Sequence, residues 1–270
     1  MKDSHLLLPR LENGLKKICA YDTREIDNPD RHHPLRLSYG DRINKVFSLI
    51  RGYYPTHTAV RIGDFACAQG NLGLMLAESG YHVVAGDIRL DFLRYSRRKY
   101  KYGRIKWVAC DLDRPCFKPD SFDIIVLGEL IEHCAYPEKI MDNVSRLLKP
   151  GGKLIVTTPN GSRLRTRLPA FESLVEEDQR RAFEGRQFGP EGEDHLFLFT
   201  QGGIRLIVPK NLQIIESGYL GGTIIINRYT YRLLKILPAF VISKLIRIGS
   251  SIPLFNRMTY NNIYAVLSKY

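Results

Sequence analysis

The stretch GELIEHC, Gly128 to Cys134, places Glu129, Glu132 and His133 at offsets of zero, three and four. On a helix beginning near Gly128 these side chains share one face, so two carboxylates and an imidazole converge on one point. Carboxylate oxygens and an imidazole nitrogen suit Mg²⁺, Mn²⁺ or Zn²⁺. Without an ion, His133 is a candidate general base, because an unperturbed imidazole titrates near pH 6.5, at about neutrality. A third reading makes Glu129 a cofactor contact and leaves Glu132 as a solvated helix residue.

A second chemical signal lies upstream, in AVRIGDFACAQGNLGLMLAESGYHVVAGDI. An apolar run ends in Asp64, passes through the small-residue loop Ala66-Cys67-Ala68-Gln69-Gly70, and is followed by a helical stretch and a second apolar run ending in Asp87. Small residues let backbone approach a ligand closely, and an acid at the second strand end can accept hydrogen bonds from ribose hydroxyls. The alternatives are strand-end caps, or a nicotinamide fold. The latter needs G-x-G-x-x-G for its pyrophosphate, a spacing that DFACAQGNLG does not supply.

The elements that must position these residues follow from periodicity. Short β-branched runs (AVRIGD, YHVVAGD, RIKWVACD, FDIIVLG, KLIVTTPN) alternate with segments of helical period, which predicts an α/β fold with a parallel sheet covered by helices on both faces. Lys149, Pro150, Gly151 and Gly152 read as the basic, glycine-terminated end of a helix. FESLVEEDQRRAF reads as a helical patch, HLFLFTQGGIRLIV as the approach to a helix, and NLQIIESGYL and NNIYAVLSK as late strands. Residues 1–57 form an N-terminal cap in which His32 and His33 are loop residues. Residues 58–270 form the main domain, with 220–261 as a long insertion.

The chain has 270 residues, 44% of them hydrophobic, enough to bury a sizeable core. The leading apolar run is three leucines, too short for a signal peptide, and no stretch approaches the roughly 20 apolar residues of a membrane span. Five cysteines without a C-x-x-C pair argue for reduced thiols. These features place the protein in the cytoplasm. The formal net charge is +12, of which Ser217–Tyr270 supplies seven Lys or Arg and no acid. The apolar and basic insertion reads as a lid over the site, or as a segment resting on an anionic membrane or recruiting a lipid-linked acceptor. RNA contact through its basic residues and tyrosines is a further, lesser reading.

The Asp64 loop resembles the first motif, D-x-G-x-G-x-G, of the class I S-adenosylmethionine-dependent methyltransferases. Asp64 and Gly70 match, while Ala66 and Ala68 stand where the family has glycine and put two methyl groups on the path of the cofactor's methionine portion. Asp87, CDLDRPCFKPDSFDIIVLGELIEH and RLLKPGGKLIVTTPN agree in order, so the resemblance covers roughly residues 35–218. It implies a Rossmann-like, seven-stranded sheet whose last strand is antiparallel. It also implies an S-adenosylmethionine site formed by Asp64, Ala66, Cys67, Ala68, Gly70, Asp87, Ile88, Asp111, Leu112 and Leu127.

E-x-x-E-H resembles the ubiquinone-pathway O-methyltransferases and the 2′-O-methyltransferases of small-RNA 3′ ends. In the latter a later D-H-x-F-x-W-T histidine completes the ligand set. Here DHLFLFT offers His195, with Phe199 in place of tryptophan. The resemblance therefore implies a metal held by Glu129, Glu132, His133 and His195, with His133, Glu132 and His195 as the catalytic residues. The expected activity is methyl transfer to a hydroxyl of a small molecule such as a sugar, a phenol or a lipid-linked intermediate. The alternatives are RNA 2′-O-methylation and a non-catalytic cofactor-binding or scaffold protein.

Overall fold

The computed structural model describes residues 13–30, 33–55, 59–164, 166–174, 177–187, 195–223, 241 and 253–270. Apolar residues on successive strand positions point to opposite faces of a sheet, so runs such as Ile124-Ile125-Val126-Leu127 need a packed layer on each side. That is what they find: Ile124 and Val126 join one core with Ile62, Val83, Ile155 and Val266. Ile125 and Leu127 join the other with Val84, Leu154, Val156 and Ala265.

Seven strands build the sheet: β1 (Arg61–Phe65), β2 (His82–Asp87), β3 (Arg104–Ala109), β4 (Phe122–Gly128), β5 (Leu148–Pro159), β6 (Leu212–Thr223) and β7 (Tyr260–Lys269). Their spatial order is β3-β2-β1-β4-β5-β7-β6. β7 runs antiparallel to both neighbours, and the remaining pairings are parallel. The chain leaves β1 toward β2 on one side and returns to β4 on the other. This reversal opens a crevice at the carboxyl ends of β1 and β4, where open α/β sheets bind ligands.

The helices are α1 (Asn13–Arg24), α2 (Pro34–Tyr53), α3 (Asn71–Glu78), α4 (Leu90–Lys99), α5 (Pro137–Leu147), α6 (Glu177–Arg181), α7 (Gln201–Leu206) and α8 (Pro253–Thr259). α2 buries Val46, Leu49 and Ile50 in the sheet's own core. His33 is its N-cap, with Nδ1 accepting from the Leu35 amide at 3.3 Å. His32 lies outside the described residues, as does the body of the 220–261 insertion (224–240 and 242–252).

Three local expectations change. α5 stops at Leu147 with Arg146 in its last turn, and Lys149 to Gly152 belong to the start of β5, where Gly151 turns at φ +73°. FESLVEEDQRRAF is split between a single 3₁₀ turn at Phe171–Ser173 and the short α6. No helix begins at Gly128: Glu129 sits at φ +55°, and only Ile131–His133 form a 3₁₀ turn before Pro137 opens α5 at its first position. Among the described residues no helix is long and apolar enough to cross a membrane.

Candidate active site

The loop after β1 alternates its backbone hand. Ala66, Ala68 and Gly70 all have positive φ, at 52°, 45° and 71°. An L-residue in this region costs about 1–2 kcal/mol, which explains why glycine suits these places and why the smallest chiral side chain occupies two of them. The loop is tied to β2: the Cys67 amide donates to the Gly86 carbonyl at 3.1 Å and the Ala68 amide to Asp87 Oδ2 at 2.9 Å. Asp87 Oδ1 accepts from the Arg89 amide at 2.9 Å. Burial raises its pKa, against the pull of these amides.

Asp64 is 5% exposed, and its Oδ2 has no hydrogen-bond partner among the described residues. Burial pushes its carboxyl up to about 7, against the pull of the Gly73 backbone amide; the neighbouring Asp87 charge adds to the rise and Arg42 opposes it. An acid so placed is poised to face a cationic ligand, which would stabilise its ionised form.

Above the crevice lies a cavity of about 670 Å³. Of the sequence-predicted residues it is lined by Asp64, Ala66, Cys67, Ala68, Asp87, Ile88, Asp111, Leu112, Glu129, His133 and His195. Three do not line it. Leu127 points by strand alternation into the core that holds Val84, Leu154 and Val156 and is fully buried there. Gly70 serves the turn: a Cβ on it would lie 2.7 Å from Ser96 Cβ. Glu132 is fully buried behind the cavity wall.

Glu132, His133 and His195 nevertheless form one cluster, with ligand atoms within 4.8 Å of one another. The Leu196 amide donates to the Glu132 carbonyl at 2.9 Å, which brings His195 from a distant segment onto the 3₁₀ turn. The His133 and His195 rings meet edge to face at 4.8 Å. Glu132 Oε2 accepts from Thr158 Oγ1 at 2.9 Å; Oε1 lies 4.0 Å from His195 Nε2 and has no hydrogen-bond partner among the described residues. Burial, and then the charge of Glu129, hold the Glu132 carboxyl well above the usual carboxylate range. A buried carboxylate oxygen without a partner beside two imidazoles is a donor set that fits a divalent cation.

Glu129 stands outside this cluster. Its positive φ turns it toward β5 and β7, where Thr157 Oγ1 donates to Oε1 at 2.9 Å and Asn262 Nδ2 to Oε2 at 2.6 Å. The helical face expected for Glu129, Glu132 and His133 does not exist, and the set reduces to Glu132, His133 and His195.

Sequence reasoning missed the opposite wall. Tyr21, Arg24 and Glu25 of α1 and its exit, and Leu35, Tyr39, Arg42 and Ile43 of α2, face the cavity, with Gln69, Asn71 and Phe92 between them. The spacing 35, 39, 42, 43 is one helical face, and a charged Arg42 within it was the available signal.

The chain and its fold have counterparts among known proteins. Residues 63–156 match a family described as a methyltransferase domain. Residues 63–156 carry a methyltransferase domain, set in the seven-stranded sheet described above. Over 134 residues it is 33% identical to a ubiquinone biosynthesis O-methyltransferase of Xylella fastidiosa, covering 47% of this chain and 49% of that protein. It is 35% identical over 97 residues to a demethylmenaquinone methyltransferase of Clavibacter sepedonicus, covering 36% and 40%. The methyltransferase domain thus aligns with half or less of the length of these two relatives. Among solved structures, the N-methyltransferase NodS of Bradyrhizobium japonicum, in complex with S-adenosylhomocysteine, superimposes with a TM-score of 0.57 at 14% identity, covering 99% of each chain. A phosphoethanolamine N-methyltransferase of Haemonchus contortus gives 0.58 at 19%, covering 100% of this chain and 61% of that one. These likenesses establish a shared fold.

Proposed function

We propose that this chain is an S-adenosylmethionine-dependent methyltransferase acting on a hydroxyl oxygen of a small molecule. The observation that carries the reading is the cluster of Glu132, His133 and His195 beside a cavity that also takes in Asp64 and Asp87 at the ends of β1 and β2. Asp87 is the ribose acceptor and the Asp64 loop faces the methionine portion, while Asp111 and Leu112 border the adenine. A cavity of about 670 Å³ accommodates a cofactor and a compact acceptor together. The relative named for oxygen methylation in ubiquinone biosynthesis favours a ring hydroxyl as acceptor, and the one named for demethylmenaquinone favours a quinone-type ring without distinguishing oxygen from carbon.

Methyl transfer to an alcohol or phenol requires a nucleophile better than the neutral hydroxyl. His133 and His195 border the cavity and supply imidazole nitrogens to receive the proton. Glu132, His133 and His195 are also the residues that would hold a divalent ion. When bound, such an ion lowers the pKa of an acceptor hydroxyl and orients adjacent oxygens. Glu129, committed to Thr157 and Asn262, positions the end of β4.

Turnover of a catechol with labelled S-adenosylmethionine tests the reading, with Glu132→Gln, His133→Asn and His195→Asn as variants. Losses of about 100-fold or more for either histidine are expected of proton acceptors. A chelator-sensitive rate that Glu132→Gln makes insensitive supports the ion, and unchanged turnover in all three variants refutes the site.

A further inference from the structure

The segment between β3 and β4 turns back on itself. The Asp111 carbonyl accepts from the Arg114 amide at 3.2 Å, and Asp111 Oδ1 accepts from the Asp113 amide at 2.9 Å. Asn143 Nδ2 of α5 donates to the Leu112 and Asp113 carbonyls at 2.9 and 3.0 Å. Both arms of the turn end beside Phe65. Phe117 stacks on its ring with centres 5.4 Å apart, and a Cβ on Gly86 would lie 2.8 Å from Phe65 Cδ1 and 3.5 Å from Cys110 Cβ. Cys116 is thereby carried back to Cys110, whose sulfur interacts with both the amide and the thiol of Cys116.

The two thiols differ in access. Cys110 is 6% exposed and lines the cavity, while Cys116 is the exposed one of the chain's five cysteines. Burial pushes the Cys110 thiol up to about 11, so near neutral pH it stays protonated while Cys116 meets the solvent. An accessible cysteine with a resolving partner beside it is the arrangement that oxidises reversibly. A peroxide converts the Cys116 thiol to a sulfenic acid and releases one water. The Cys110 sulfur then attacks the Cys116 sulfur, the S–S bond forms, and the sulfenic hydroxyl leaves with the Cys110 proton as a second water. The pair gives up two electrons, which reduce the peroxide. A disulfide holds its sulfurs about 2 Å apart, closer than any non-bonded contact, so the bond draws Cys116 inward and pulls on the turn that Asn143 holds. Asp111 and Leu112 lie inside the ring so closed, and both line the cavity.

We propose that Cys110 and Cys116 are a redox modification site, which a peroxide closes to a disulfide and which then lowers the affinity of the cavity for the cofactor. The effect on affinity rests on the methyltransferase reading, in which Asp111 and Leu112 border the adenine. Formation of the disulfide does not.

The full chain, reduced and then treated with a small excess of hydrogen peroxide, tests both halves. Thiol titration after unfolding should fall from the five cysteines of the sequence by the one pair, and peptide mass mapping should find the segment holding Cys110 and Cys116 lighter by two hydrogens. Calorimetry with S-adenosylhomocysteine should show affinity roughly 5-fold or more weaker in the oxidised chain, restored by dithiothreitol. Cys116→Ser, at a position that does not line the cavity, should bind like the reduced wild type and should not respond to peroxide. An undiminished thiol count, a bond to a different cysteine or a link between two chains overturns the site. A disulfide that leaves affinity unchanged, or a peroxide-induced loss that persists in Cys116→Ser, overturns its coupling to the cavity. Reduced wild type that does not bind S-adenosylhomocysteine instead removes the methyltransferase reading, while the thiol count and masses still decide the disulfide.

Discussion

Ala66, Ala68 and Gly70 meet one backbone demand with different side chains, and the difference is testable. Ala68→Gly relieves a left-handed alanine but adds unfolded-state entropy, so the two effects nearly cancel and stability should change by less than about 1 kcal/mol. Gly70→Ala has no such compensation. Its Cβ would meet Ser96, which is fully buried and held by the Trp107 indole N–H at 2.9 Å, so a loss of about 2–4 kcal/mol is expected in urea unfolding. Asp64 makes a prediction in pH. Its folded pKa of about 7 lies above the unfolded value of about 4, so the folded state holds a proton that the unfolded state has released between those limits. Stability should fall as pH rises from about 4 to 7 and level off above, and Asp64→Asn should remove that component of the slope in denaturation curves at pH 5, 6 and 7.5. Asp64 and Asp87 were legible because strand ends and small-residue loops are local patterns. The partnerless Oδ2 was not, because burial is a property of the whole fold.

At the scale of elements, α1 is fastened beside the cofactor loop by a buried polar network. Lys99 Nζ of α4 donates to Asp22 Oδ2 of α1 at 2.6 Å and to Asn71 Oδ1 of α3 at 2.5 Å. Asn71 Nδ2 donates to Asp22 Oδ1 and to the Tyr39 hydroxyl of α2, both at 2.8 Å, and the Tyr95 hydroxyl to Asp22 at 2.9 Å. Asp22 and Lys99 are 1% and 2% exposed. Removing one charge of such a pair leaves the other uncompensated, so Lys99→Met should cost about 3–5 kcal/mol and Lys99→Met with Asp22→Asn distinctly less. Tyr21, Arg24 and Glu25 flank Asp22 and line the cavity, so the single variant should also raise hydrogen exchange over residues 13–25 and weaken S-adenosylhomocysteine binding. Equal exchange in wild type and variant would show that α1 does not depend on this pair. Nothing local in the sequence marks Lys99 as buried: it closes the run Arg97-Arg98-Lys99, two of whose members face solvent. GELIEHC failed as a helix for a related reason. Its spacing fits a helical face, but Glu129 takes a left-handed turn to reach Thr157 and Asn262 on other strands.

For the whole molecule, the unequal charge remains to be placed. The segment of residues 224–252 carries Arg228, Arg232, Lys235, Lys244 and Arg247 without an acid. If it recruits the protein to an anionic surface, sedimentation with phosphatidylserine vesicles should fall several-fold when residues 224–252 are removed and again as salt is raised. Equal sedimentation with and without the segment would exclude that role. The fold class was readable from the chain because alternating β-branched and helical segments leave few solutions, and the apolar runs of β1, β4 and β5 demand layers on both faces of a parallel sheet. By itself the sequence determined the strand ends that carry Asp64 and Asp87, the loop between β1 and α3, and the residue types able to hold a proton or an ion. Only the tertiary structure decided that Glu132, His133 and His195 meet without Glu129, and that Leu127 packs below the site rather than in it. It also brought an N-terminal arginine over the end of β4. Local periodicity constrains a residue's neighbours three or four positions away. Contacts between residues such as His195 and Glu132, or Arg42 and Glu129, depend on how the layers close over the sheet.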